Sequence, residues 1–120
     1  MRTVFIIEDD LALRRIYKMI LGFKGFEVVG SAKNGVEAIE KIKTMSPKPS
    51  IILMDHRMPL KTGLETTKIL LSEYAELKII FTSADDSIEA EAIKQGAIAF
   101  LKKPFTHDVL IHTLDSVLET

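Results

Sequence analysis

Short apolar runs alternate with stretches of helical spacing along the whole sequence, and this alternation constrains the fold more than any other feature. The apolar runs are rich in β-branched and aromatic residues, which indicates strands. Their hydrophobicity is continuous rather than alternating, as in strands that are covered on both faces of a sheet. The predicted strands are residues 3–7, 27–32, 50–54, 77–84 and 97–101.

Apolar residues recur three and four positions apart after each predicted strand, which is typical of amphipathic helices. The first helix is predicted to end at Gly22 and Gly25, and the fourth at Gly96. Thr106 or Asp108 lies where the last helix needs an N-cap. Five strand–helix units in succession predict an α/β domain with a parallel sheet and helices on both faces.

The composition fits a single domain that spans residues 1–120. The chain is 47% hydrophobic and 28% charged, and its formal net charge is −1. This near-neutral balance predicts no nucleic-acid or membrane partner, and no apolar run approaches the roughly 20 residues of a membrane helix. The sequence contains no cysteine, which excludes disulfides and thiolate metal sites, and we expect a cytoplasmic protein.

Charged and hydroxyl side chains collect where the predicted strands end, which is where parallel α/β sheets bind their ligands. These residues are Glu8, Asp9, Asp10, Asp55, Thr82, Ser83, Lys102 and Lys103. Carboxylates within about 4 Å of one another repel by roughly 1 to 4 kcal/mol per pair in a partly wet site, and a divalent cation removes that repulsion. Oxygen ligands suit Mg²⁺, and a lysine adds a mobile positive charge. Although Asp10 alone would fit a simple helix cap, the set as a whole predicts a metal site with a lysine.

Six segments in order match one known family: FIIEDD, VVGSAKNGVEAI, IILMDHRMPLKTGLE, IIFTSAD, GAIAF and LKKPF. The chain resembles a response-regulator receiver domain, the phospho-acceptor module of two-component signalling, over essentially its whole length. The resemblance implies a flavodoxin-like (βα)5 fold, a doubly wound parallel sheet with strand order 2-1-3-4-5 and helices on both faces.

The resemblance also assigns roles to the residues of the predicted site. Asp55 matches the phosphorylated aspartate. Glu8 and Asp9 match the acidic pair that holds Mg²⁺ (or Mn²⁺), Asp9 directly and Glu8 through water, and Arg57 matches the residue whose backbone carbonyl completes the metal ligands. Lys103 matches the lysine that contacts the phosphoryl oxygens.

Two further residues match the conformational switch of the family. Ser83 is the better match to the switch hydroxyl because an alanine follows it, although Thr82 is adjacent. Phe100 matches the switch aromatic on the fifth strand, and the bond before Pro104 is expected to be cis. The segment after Ser83 is about two residues shorter than in many relatives, so the fourth helix is expected to begin differently.

The function implied by the resemblance is a signalling switch rather than an enzyme, one that catalyses only its own phosphorylation and slow dephosphorylation. The expected partners are a sensor histidine kinase or a phosphotransfer protein and an unknown effector, and phosphorylation is expected to promote a homodimer. A degenerate receiver that acts as an interaction module without phosphorylation is the alternative. A Mg²⁺-dependent phosphatase with an aspartyl nucleophile is disfavoured because Arg57 occupies the position of the second acid that such enzymes use.

Overall fold

Five parallel strands form one sheet in the computed structural model, which describes residues 2–119. The strands are β1 (Thr3–Ile7), β2 (Glu27–Ala32), β3 (Ile51–Asp55), β4 (Lys78–Ser83) and β5 (Ala99–Lys102). Their spatial order is β2-β1-β3-β4-β5, which confirms the predicted doubly wound topology. This order places the carboxyl end of β1 between those of β2 and β3, and the carboxyl end of β4 between those of β3 and β5.

Four of the five connecting helices described begin at a short polar side chain that caps them, and the fourth helix is the exception. The helices are α1 (Leu11–Phe23), α2 (Gly35–Lys43), α3 (Gly63–Glu73), α4 (Glu89–Lys94) and α5 (His107–Leu118), with a single 3-10 turn at Asp86–Ile88 before α4. Asp10 caps α1 and Thr106 caps α5, and Thr62 forms a capping box with Glu65 at the start of α3. Each such cap contributes about 1 kcal/mol to helix stability. Within residues 2–119, none of the helices has the length and apolar character needed to cross a bilayer.

Apolar side chains of the strands point alternately into two cores, one on each face of the sheet. Ile6 and Leu53 pack against α1 and α5, where Leu21 and Leu114 are buried. The opposite faces of β1, β3 and β4 pack against α2, α3 and α4. Because both faces are covered, β3 is buried at every position, which explains the continuous apolar runs in the sequence.

Several predicted boundaries differ from the structure by one or two residues. β3 includes Asp55 as its last residue, and Gly22 lies inside α1, which ends before Gly25 at φ +87°. β5 begins at Ala99 rather than at residue 97, because Gly96 at φ +112° turns the chain so that the Ala97 amide still bonds to α4. A 3-10 turn precedes the six residues of α4, and the expected difference from the fourth helix of the relatives stays a prediction.

Candidate functional site

The carboxyl ends of β1, β3 and β5 bring two acids and a lysine into contact. Lys103 Nζ lies 2.9 Å from Glu8 Oε1 and 3.0 Å from Asp55 Oδ1. Both carboxylates are buried, with side-chain exposures of 3% and 8%. Residues 48 and 95 positions apart in sequence therefore share one hydrogen-bonded cluster at the edge of the sheet.

Asp9 completes an oxygen-ligand site beside this cluster. Glu8, Asp9 and Asp55 each offer a carboxylate oxygen, and these oxygens all lie within 4.8 Å of one another. Three carboxylates against one lysine leave a formal charge of −2 when all four groups are ionised, so the cluster is short of positive charge. A donor set made of oxygens alone, with one exposed ligand open to solvent, fits a hard divalent cation such as Mg²⁺.

Burial and the contact with Lys103 shift the pKa values of the cluster. Burial, opposed by the hydrogen bond and charge of Lys103 and assisted by the negative charge of Asp55, raises the pKa of Glu8 to about 7. Burial alone would lower the pKa of Lys103, but its hydrogen bond to Glu8 and the charge of Asp55 outweigh this and raise it. Lys103 therefore stays charged, while Glu8 is close to half protonated near neutral pH unless a cation replaces its proton.

Local backbone contacts fix the two acidic strands. The Glu8 amide donates to the Ala32 carbonyl at 3.0 Å, which extends the β1–β2 ladder by one residue. After β3, the Gly63 amide donates to the His56 carbonyl at 2.9 Å. A Cβ atom at Gly63 would collide with the Asp55 carbonyl and with the Phe81 ring, so only glycine lets α3 approach Asp55 this closely.

Ser83 lines the site, whereas Thr82 points away from it. A cavity of about 240 Å³ opens at the acids, and its lining residues are Glu8, Asp9, Asp10, Leu13, Asp55, Arg57, Ser83, Ala84 and Lys103. Thr82 Oγ1 donates to the Met54 carbonyl at 3.3 Å in the interior. Ser83 Oγ accepts a hydrogen bond from the Asp85 amide at 3.0 Å. The structure thus places all the predicted residues of the reaction site around one cavity.

Phe100, the predicted switch aromatic, lies away from the cavity on the α3 and α4 side of the sheet. It is half-buried and stacks on Phe81 with ring centroids 6.1 Å apart. The Phe81 ring also contacts the ring of His56, the residue that follows Asp55, and the two ring centroids are 5.7 Å apart. No local pattern in the sequence predicts these ring contacts, because Phe81 lies in β4, Phe100 in β5 and His56 in the loop after β3.

Two side chains of α1 reach the site region without having been predicted there. Arg14 Nη1 donates to the backbone carbonyl of Glu8 at 2.7 Å. Tyr17 is buried and stacks on Phe105, with ring centroids 6.1 Å apart, and burial raises its pKa to about 12. Helical spacing assigns Tyr17 to the core face of α1, but neither contact has a signal in the local sequence.

An apolar groove adjoins the acidic cavity between α1 and the segment that follows β5. Its volume is about 510 Å³, and Ile16, Tyr17, Ile20, Phe105 and Leu110 are among its lining residues. Lys103 lies at the boundary between the groove and the cavity, and the Lys103–Pro104 peptide that follows is cis, as expected.

Comparisons with known proteins agree with this geometry. Residues 4–115 match the family described as the response regulator receiver domain. The chemotaxis protein CheY of Thermotoga maritima is 37% identical over 118 residues, which cover 97% of each chain. The transcriptional regulatory protein LnrK of Bacillus subtilis is 32% identical over 98% of this chain and 54% of its own length. The solved receiver domain of the Francisella response regulator 1452 superposes with a TM-score of 0.90 at 29% identity, covering 99% of this chain and 98% of the other.

Proposed function

The chain belongs to the receiver domain family of response regulators, and from that premise we propose that Asp55 accepts a phosphoryl group in two-component signal transduction. The observation that carries this proposal is the position of Lys103, whose ammonium group contacts Glu8 at 2.9 Å and Asp55 at 3.0 Å. Phosphoryl transfer needs positioning and charge neutralisation more than covalent chemistry from the protein. A lysine held against a buried aspartate at a small open cavity supports that use.

In the proposed reaction, a carboxylate oxygen of Asp55 attacks the phosphorus atom of a phosphohistidine or of a small acyl phosphate. The new P–O bond forms as the donor's P–N or P–O bond breaks, and the leaving imidazole or carboxylate keeps the electron pair of that bond. Lys103 and the hydroxyl of Ser83 are positioned to bind oxygens of the transferred group. Later attack by water on the same phosphorus releases inorganic phosphate and restores the Asp55 carboxylate.

The acidic residues are proposed to hold Mg²⁺, or Mn²⁺ in its place. Glu8, Asp9 and Asp55 would hold the ion together with the backbone carbonyl of Arg57, which lines the same cavity. A bound divalent cation neutralises negative charge on the phosphoryl oxygens. Asp9, the exposed member of the three, keeps this site open to solvent and to the donor.

The proposed output is a change in the surface formed by α4, β5 and α5. Ser83 Oγ accepts from the Asp85 amide at 3.0 Å, so a movement of this oxygen toward a phosphoryl group on Asp55 would break the bond and free the loop before α4. Phe100 is then expected to turn inward beside Phe81. A shift from 1:99 to 99:1 between the two states requires about 5.5 kcal/mol of differential interaction.

The proposed donor is a sensor histidine kinase or a phosphotransfer protein, and the proposed receiver of the signal is an effector protein. We propose that the domain is a switch rather than an enzyme with an external substrate. A phosphorylation-promoted homodimer and a cytoplasmic location stay predictions. The alternative of an interaction module without phosphorylation is not favoured, because the reactive residues surround one cavity.

Intact mass after incubation with acetyl phosphate and Mg²⁺ tests the proposal. We expect the mass of one added phosphoryl group in the complete mixture and none with EDTA or in the Asp55→Asn variant. The Asp86→Asn variant is the matched control, because the side chain of Asp86 is 63% exposed and Asp86 does not line the cavity, so we expect the mass gain to stay intact. A folded wild-type protein that gains no mass at any Mg²⁺ concentration would contradict the proposal.

A further inference from the structure

We propose that Arg14 is a positioning residue, which fixes the peptide plane between Glu8 and Asp9 and so sets the geometry in which the acidic site takes a divalent cation. The inference rests on the function proposed above. Arg14 Nη1 donates to the Glu8 carbonyl at 2.7 Å, a short charge-assisted hydrogen bond. Arg14 does not line the acidic cavity, so it influences the acids through the backbone of Glu8 rather than through a contact inside the cavity.

The Glu8 backbone is held on both sides. Its amide donates to Ala32 at 3.0 Å, and its carbonyl accepts from Arg14. The carbonyl of Glu8 belongs to the same peptide plane as the amide of Asp9, so the contact with Arg14 orients the start of Asp9. Asp9 is exposed, and its position therefore depends on the residues that flank it.

The first turns of α1 hold the other flank. The Asp10 carboxylate accepts from the amides of Ala12 and Leu13, at 2.8 and 3.2 Å. The Arg14 amide donates to the Asp10 carbonyl at 3.0 Å, while its side chain returns to Glu8. Arg14 thus donates hydrogen bonds to the carbonyls of Glu8 and Asp10, the residues on either side of Asp9. These two bonds hold the backbone before and after Asp9.

An arginine suits this role because its planar guanidinium directs donors in fixed directions, whereas the ammonium group of a lysine rotates freely. Groups that orient metal ligands typically change metal affinity by 10- to 100-fold when they are removed. A site that takes its ligands from one exposed and two buried acids depends strongly on how the exposed ligand is held.

The neighbouring Arg15 provides a matched control. It carries the same charge on the same helix, but it is exposed, and its guanidinium makes no hydrogen bond or ion pair with the described part of the chain. Arg14→Gln therefore removes a charge and the contact with Glu8, while Arg15→Gln removes a charge alone. If Arg14→Gln does not fold, Arg14→Lys replaces it and is judged by the same criteria. The lysine keeps the positive charge but lacks the planar guanidinium group.

The first readout is the ¹⁵N order parameter of the Asp9 amide in EDTA. We expect a value near the rigid range of about 0.85 in the wild type and in Arg15→Gln, and a fall toward 0.6 in Arg14→Gln. The second readout is the Mg²⁺ concentration at half-saturation, followed by the amide shifts of residues 8–10. We expect it to rise on the order of tenfold in Arg14→Gln and to change by less than about twofold in Arg15→Gln.

Equal order parameters and equal half-saturation in the two variants would overturn the role of Arg14. A different result would contradict the proposed function: a wild-type protein that binds Mg²⁺ but gains no mass from acetyl phosphate. If the wild type shows no response to Mg²⁺, the order parameters in EDTA decide the question for Arg14 on their own.

Discussion

Two lysines at opposite ends of the sheet show how differently those ends are built. Lys48, in the loop before β3, donates to the carbonyls of Ile42, Lys43 and Met45 at 2.8, 3.2 and 2.8 Å. It thereby bonds to carbonyls at and just after the end of α2, and it also lies 4.6 Å from the ring centre of Tyr74. Lys103, after β5, instead contacts two carboxylates beside a third.

The difference is one of charge balance. At the amino end, one cation meets neutral carbonyls and an aromatic face, so the contacts are complete with groups of the chain itself. At the carboxyl end, one cation meets an excess of negative charge, and burial has raised the pKa of Glu8 to about 7. The amino end therefore contributes stability, whereas the carboxyl end lacks positive charge that a metal ion would provide.

Replacing Lys103 is expected to have the largest effect on stability. Lys103→Met leaves two buried acids without their partner, and we expect a loss of about 3 kcal/mol in EDTA, because breaking a buried ion pair on one side is costly. Urea unfolding measures it, and added Mg²⁺ is expected to restore a large part. Lys102→Met is the control, since the side chain of Lys102 is 58% exposed and pairs with Asp86 only at the surface. Equal losses for both variants would count against the buried pair.

Replacing Lys48 tests the other end. Lys48→Met removes three hydrogen bonds to carbonyls and the contact with Tyr74, so we expect a loss of about 2 kcal/mol in the free energy of unfolding. Since these groups lie far from the acids, the loss is expected to be the same with EDTA and with Mg²⁺. The exposed neighbour Lys43, replaced by Met, is expected to change little. If the loss of unfolding free energy in Lys48→Met depended on Mg²⁺, the two ends of the sheet would not be independent, contrary to this prediction.

The acidic end is expected to make metal-free stability depend on pH. The pKa of Glu8 is about 7 in the folded state against 4.5 ordinarily, so the folded state binds more protons between these values. Stability from this group is therefore full below about pH 4.5 and is lost as the pH rises through 7. We expect a fall of about 1 to 2 kcal/mol between pH 5.5 and 8 in EDTA.

Glu8→Gln separates this effect from other titrations. The variant lacks the carboxyl group, so its urea midpoint is expected to change less than that of the wild type over the same pH range. Lys103 does not titrate there, because its raised pKa places the loss of its own contribution at alkaline pH. A wild-type protein that became more stable from pH 5.5 to 8 would contradict the assignment.

The smallest expected effect concerns the switch hydroxyl. Ser83→Ala is expected to keep the mass gain from acetyl phosphate but to lose the change in Phe100 ring shifts that we expect phosphorylation to produce in the wild type. Thr82→Val is the control, because Thr82 bonds to Met54 inside the sheet and points away from the cavity. If Ser83→Ala kept the Phe100 response and Thr82→Val lost it, the switch hydroxyl would be that of Thr82 and not that of Ser83.

Much of the fold and the site could be predicted because both follow from strand periodicity. Continuous apolar runs identify strands covered on both faces, and parallel strands bring whatever follows them to one edge. Glu8, Asp9, Asp55 and Lys103 are therefore expected at one edge of the sheet, while the strand order that makes β1 and β3 neighbours is implied by the resemblance alone. Asp10 and Thr106 are found as caps for an equally local reason.

The features that could not be predicted depend on side-chain reach and on single-residue register. Adjacent strand residues face opposite sides of a sheet, so periodicity alone leaves Thr82 and Ser83 open, and only the resemblance, which pairs the hydroxyl with a following alanine, favours Ser83. The start of β5 depends on the positive φ of Gly96, and the contact of Arg14 with Glu8 depends on a long side chain that folds back over its own loop. None of these leaves a periodic signal.

The central claim is that Asp55 is the residue that carries the phosphoryl group. Borohydride reduces an aspartyl phosphate to homoserine, so treatment after incubation with acetyl phosphate and Mg²⁺ marks the acceptor permanently. Peptide mass spectrometry is predicted to find homoserine at position 55 alone, and none when EDTA replaces Mg²⁺. Homoserine at Asp9 or Asp10, or at no position in a protein that had gained phosphoryl mass, would contradict the account.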